Sequence, residues 1–190
     1  MSPLRAAAAG WIVARNAVPL AGMIFLGWKA HQLVLLYYLD TMVAIASVIT
    51  LLFIYSKDVP RDYRYSAKEI AGIAFAVVFV TGIYAFAMGF PVVVSLGMSD
   101  ESLGSIFGDE EFRAGLGIQL VIAGVAFLTT SSELRRTSDA DKVLKTQFAF
   151  VTLRWVVVFA MSVTLPFAVM LVIAYAGASI YFELRPPPPE

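Results

Sequence analysis

The chain is predicted to fold as an all-α polytopic bundle of five membrane-spanning helices. The composition, the lengths of five apolar stretches and the alternation of charge between them predict it. Hydrophobic residues make up 59% of the sequence and charged residues 15%, against roughly 45–50% and about 25% in soluble domains. A soluble chain of 190 residues cannot hide that much apolar surface, whereas a bilayer removes the need to hide it.

A spanning helix needs about 20 mostly apolar residues, because about 30 Å of hydrocarbon is crossed at 1.5 Å per residue. Five stretches meet the requirement, at about 6–28, 32–55, 70–98, 114–130 and 148–181, within a single domain covering 1–190. The first contains Arg15 and Pro19, which argues for an uncleaved helix rather than a signal peptide. Trp28 to His31 form a very short link, so helices one and two are expected to pair as an antiparallel hairpin. The last stretch is too long for one straight span, and a kink at Pro166 or a tilt is expected to absorb the excess.

The links alternate in charge. Lys57, Arg61, Arg64 and Lys68 lie in the second, and Arg135, Arg136, Lys142 and Lys145 in the fourth. The third holds Asp100, Glu101, Asp109, Glu110 and Glu111 against Arg113. The positive-inside rule places the second and fourth links in the cytoplasm. The N-terminus is then cytoplasmic and the C-terminus outside, which requires an odd number of helices. A bacterial inner membrane is the expected location. Trp11, Trp28, Tyr55 and Tyr181 are expected to anchor the interfaces. Ala85 and Gly89 form a small-xxx-small pair that lets another helix approach α-helically packed backbone closely.

Composition also excludes whole classes of function. Formal net charge is zero, so no nucleic-acid partner is expected. The absence of cysteine removes disulfides and thiolate chemistry, and the single histidine, His31, makes bis-histidine ligation within one chain impossible. No cofactor and no metal is expected. No Gly-x-Ser-x-Gly, His-Glu-x-x-His or phosphate-cradling glycine loop occurs. No nucleophile, base and oxyanion donor assemble, so there are no catalytic candidates and an enzyme is the least favoured reading.

Asp40 is the leading site residue. A carboxylate about nine residues inside helix two costs about 2.5–3.5 kcal/mol on insertion scales. Tyr37, Ala44 and Ser47 share its face, a small and polar stripe that should face the bundle. If helices one and two form a hairpin, Arg15 lies within reach, and an Arg15–Asp40 ion pair is expected, with Asn16 or a tyrosine hydroxyl completing it. Arg154 is expected to snorkel toward the headgroups rather than pair with Asp40. Gln119 is a further intramembrane polar candidate. His31 and the acidic loop, Asp100 to Glu111, are expected to be wet and solvated rather than metal-binding.

The segments Asn16-Ala17-Val18-Pro19-Leu20-Ala21-Gly22, Gly27-Trp28 and Leu35-Leu36-Tyr37-Tyr38-Leu39-Asp40 resemble the opening of a family of bacterial multi-pass membrane proteins catalogued as a domain of unknown function. The resemblance covers mainly the first hairpin. It implies that Asn16, Pro19, Trp28, Tyr37 and Asp40 act as one structural unit, and it implies no activity. Two functions are therefore expected. The first is a structural or assembly protein that packs with itself, as a homo-oligomer, or with other membrane subunits. The alternative is a binding or transport protein that uses Asp40 for a cation, proton or small amphiphile.

Overall fold

The structure is a computed structural model that describes residues 3–55, 63–97, 102–136, 140–163, 170, 173–174 and 176–177. The described residues include six helices: α1 (Pro3–Phe25), α2 (Ala30–Ile54), α3 (Ala67–Gly97), α4 (Leu103–Gly108), α5 (Glu110–Arg136) and α6 (Ala140–Val163). Among the described residues there is no strand. Among the described residues four helices are long and apolar enough to cross a membrane: Ala30–Ile54, Ala67–Ala87, Glu110–Arg135 and Val143–Met161. Five such spans are expected from the sequence. The first helix contributes a shorter described apolar stretch, Asn16–Phe25. Pro166, most of the far part of the expected fifth span and residues 178–190 lie outside the described residues.

The helices end where turns or side chains satisfy the backbone groups that a terminus leaves orphaned. At the end of α1 the amides of Leu26 and Trp28 converge on the Gly22 carbonyl at 3.1 and 3.0 Å. Gly27 makes the reversal by adopting a φ of 64°, a left-handed conformation that costs a residue with a Cβ about 1–2 kcal/mol. At the start of α2, the Lys29 amide donates to Gln32 Oε1 at 2.8 Å. At its far end the Tyr65 hydroxyl donates to the carbonyls of Phe53 and Ile54. Ser66 opens α3 with a capping box: Glu69 N–H donates to Ser66 Oγ, and Ser66 N–H donates to Glu69 Oε2. Tyr63 donates to the other Glu69 oxygen at 2.6 Å, and this bond raises its pKa above the ordinary tyrosine value.

Two helix limits differ from expectation for the same reason. The fourth span is predicted over 114–130, yet α5 runs for 27 residues from Glu110 to Arg136. The fifth is predicted to begin at 148, and α6 begins at Ala140. Polar residues at a membrane surface read as loop, but a capped helix continues through them into the headgroup region. Asp109 supplies the cap of α5: its Oδ1 accepts from the amides of Glu111 and Phe112 at 2.9 and 3.1 Å. Its other oxygen accepts from Gln32 Nε2 at 3.1 Å. The expected solvated acidic loop is thus partly a joint between the starts of α2 and α5. Asp109→Ala should cost about 1–2 kcal/mol. Hydrogen exchange should accelerate at Glu111 and Phe112 while the amides of α6 keep their protection.

The helix arrangement overturns the expected hairpin. The link between α1 and α2 is short, but α1 lies chiefly along α5 and only brushes α2. α2 is the hub, packed against α3, α6 and α5. More than half of its apolar window is buried, against none of the α3 window. Tyr38 sets the α2–α3 contact. Its hydroxyl donates to the Ala85 carbonyl at 3.0 Å and lies 3.6 Å from where a Cβ on Gly89 would stand. The small pair on α3 is therefore the seat of a tyrosine.

Trp28 also departs from expectation. It is buried rather than interfacial, because both flanking helices present glycine to it. A Cβ added to Gly22 of α1 or to Gly115 of α5 would overlap the indole ring. Phe112 meets the indole edge-on, with centroids 5.8 Å apart, and Phe107 meets Phe112 in the same way. Trp28 and Tyr37 belong to one core cluster with Leu33, Leu36, Phe112 and Met161. Two further clusters follow toward the opposite end, around Ile45, Val48 and Val151, then Leu51, Leu134 and Leu144.

Candidate functional site

Between the large cluster at the α4 end and the smaller ones beyond it, the core turns polar. Asp40, on the third turn of α2, is 2% exposed. A carboxylate so placed needs a counter-charge or a proton. The counter-charge comes from across the bundle: the Arg154 guanidinium of α6, itself 6% exposed, forms an ion pair with Asp40. Snorkelling is the wrong expectation for Arg154. α6 runs antiparallel to α2 and directly beside it, so an inward-pointing arginine meets a carboxylate before it can reach a headgroup. The backbone of Arg15 belongs to α1, while its side chain lies outside the described residues, and with it the expected Arg15–Asp40 contact.

The other candidates lie at the same depth. Asn16 of α1 is buried, as are Tyr37 and Thr41 beside Asp40 on α2. The Thr41 hydroxyl donates to the Tyr37 carbonyl at 2.7 Å, a back-bond that satisfies a buried hydroxyl within its own helix. The Gln32–Asp109 bond at one end, with the Tyr55–Ser131 bond at the other, fixes α2 and α5 as parallel neighbours. Asp40 lies eight residues beyond Gln32 and Gln119 ten beyond Asp109, so the two are level. Gln119 is 2% exposed, and its Oε1 accepts no hydrogen bond among the described residues. One polar layer is therefore shared by α1, α2, α5 and α6.

Below this layer a cavity of about 70 Å³ opens between α2, α5 and α6. Ala44 and Ser47, the stripe predicted to share Asp40's face, line it together with Thr130, Gln147 and Arg154. The volume is enough for a few waters, and the lining supplies the polar partners that water needs. At its far end Tyr55 donates to the Ser131 carbonyl at 3.1 Å and accepts from Arg135 Nε at 3.0 Å. An expected interfacial anchor is here a latch between α2 and α5.

His31 is buried, not wet, because it opens α2 on the side facing the core. Among the described residues no group of three His, Asp or Glu residues lies close enough to hold a metal ion. Sequence reasoning missed the Trp28 seat. Its signal was present as glycines at 22 and 115, but nothing in the sequence shows that they face each other.

No curated protein and no solved structure matches the chain. The family model that does match extends well past the first two helices, over residues 2–182. That span includes Asp40, Gln119 and Arg154 together with the helices that present them, and the chain belongs to the family of unknown function DUF6498.

Proposed function

We propose that the chain is a small membrane protein of structural or assembly type, which packs with itself or with other subunits of a bacterial inner membrane. In this reading α1 is a fifth span. Its 23 residues cover about 34 Å, enough to cross the hydrocarbon. The N-terminus is cytoplasmic with the basic links, and the C-terminus is outside.

The observation that carries the reading is the contrast between α2 and α3. The one intramembrane carboxylate described is already paired within the chain with Arg154, so the charge at the bundle centre is balanced internally. α3, by contrast, buries none of its spanning window. Phe75, Phe79, Phe86 and Phe90 stand exposed along it at helical spacing. Helices associate in lipid through close packing rather than hydrophobic exclusion, and α3 is the helix with surface left to pack.

The alternative reading, a binding or transport protein built on Asp40, draws its support from the cavity that reaches Arg154. One experiment separates the two. Native mass spectrometry of the protein, extracted mildly from its own membrane, should show a homo-oligomer or a stoichiometric complex with other membrane subunits. A monomer that carries a defined small polar ligand would overturn the assembly reading in favour of the cavity.

A further inference from the structure

A second and larger concavity lies on the side of the bundle, between α2, α3 and α6. It measures about 480 Å³ and its walls are apolar. Ile45, Ile49 and Leu52 form the α2 wall, Val80 and Tyr84 the α3 wall, and Thr152 and Trp155 part of the α6 wall. Thr152 adds no free donor, because its hydroxyl is turned back to the Phe148 carbonyl at 2.9 Å. From Ile45 to Leu52 the groove runs about 10 Å along α2, within the depth of one leaflet, about 15 Å. All three walls belong to spanning helices, so the medium around the groove is hydrocarbon.

One end of the groove is charged. Phe148, Thr152 and Trp155 form one stripe of α6, and the next residue down that stripe is Lys145, a single turn below Phe148. Lys145 is exposed. It lies at the end of the bundle that carries Arg64 and Lys68, also exposed, beside the start of α3. Glu69, near the start of α3, is already engaged by Tyr63 and Ser66. An apolar slot that lies within one leaflet and ends toward a lysine at the membrane surface matches a phospholipid: chain in the slot, phosphate above the ammonium.

We propose that the α2–α3–α6 groove holds one acyl chain of an anionic phospholipid whose headgroup is bound at Lys145. The assignment does not depend on what the bundle assembles with. It is tested with the whole protein, reconstituted in vesicles of equal phosphatidylglycerol and phosphatidylcholine, then extracted and weighed by native mass spectrometry. One retained lipid per chain is expected, enriched several-fold in phosphatidylglycerol. Thr152→Trp, which fills the groove, should abolish retention, and Lys145→Gln, at an exposed position that leaves folding intact, should keep the lipid but lose the preference. Absence of a retained lipid in the wild type overturns the proposal, as does a second copy of the chain that displaces it. Retention by a folded Thr152→Trp protein equal to wild type places the lipid elsewhere, and an unchanged preference in Lys145→Gln overturns the headgroup assignment.

Discussion

Arg154→Met should destabilise the protein by about 3–5 kcal/mol, because it leaves the Asp40 carboxylate buried without its counter-charge. The methionine fills much of the arginine's volume, so the loss reports charge rather than a cavity. Removing both charges should reverse most of the damage. Asp40→Leu with Arg154→Met replaces a buried ion pair by apolar side chains, an exchange that is often neutral or stabilising. Unfolding of the four proteins in detergent micelles, followed by tryptophan fluorescence, gives the cycle directly. If the double variant is as unstable as the two single losses added together, the two charges do not act as a pair.

The second large effect is expected at the tryptophan seat. Trp28→Ala should cost about 3–5 kcal/mol, the loss typical of a buried tryptophan with its cavity left unfilled. The opposite change attacks the same contact from the other side. In Gly115→Ala the new methyl overlaps the indole, so ring or helix must move, at about 1–3 kcal/mol. Combining Gly115→Ala with Trp28→Leu should recover part of that loss, because the smaller side chain makes room for the methyl. Thermal unfolding in detergent measures all of these. Strict additivity in the combined variant would mean that glycine serves backbone flexibility at position 115 and not close approach.

These two sites also show what could be read from the sequence and what could not. Asp40 announces itself, since a carboxylate amid Leu36, Tyr37, Leu39 and Met42 is costly anywhere but inside a bundle. Its partner does not. Proximity along the chain favours Arg15, on the helix just before, and a short link invites a hairpin. The described partner comes from packing: α6 lies directly beside α2, and no local feature of Arg154 carries that information. The helix interiors were legible because twenty apolar residues have few alternatives. The ends at Glu110, Arg136 and Ala140 were not, because they depend on a cap from Asp109 and on helices that outrun the hydrocarbon. Trp28 was misplaced for a chemical reason, as an indole suits both an interface and a core, and only glycines far apart in sequence choose between them.

The partnership of α1 with α5 has a consequence for how the protein is made. About 85 residues separate the end of α1 from the start of α5, and a ribosome adding roughly 5–20 residues per second needs about 4–17 s to supply them. Throughout that interval the α5 side of α1 lacks its partner, and Trp28 has Gly22 on one flank but not yet Gly115 on the other. α1 is therefore made well before the helix it packs against. Its buried Asn16 must be sheltered by lipid headgroups or insertion machinery until the second half of the chain arrives.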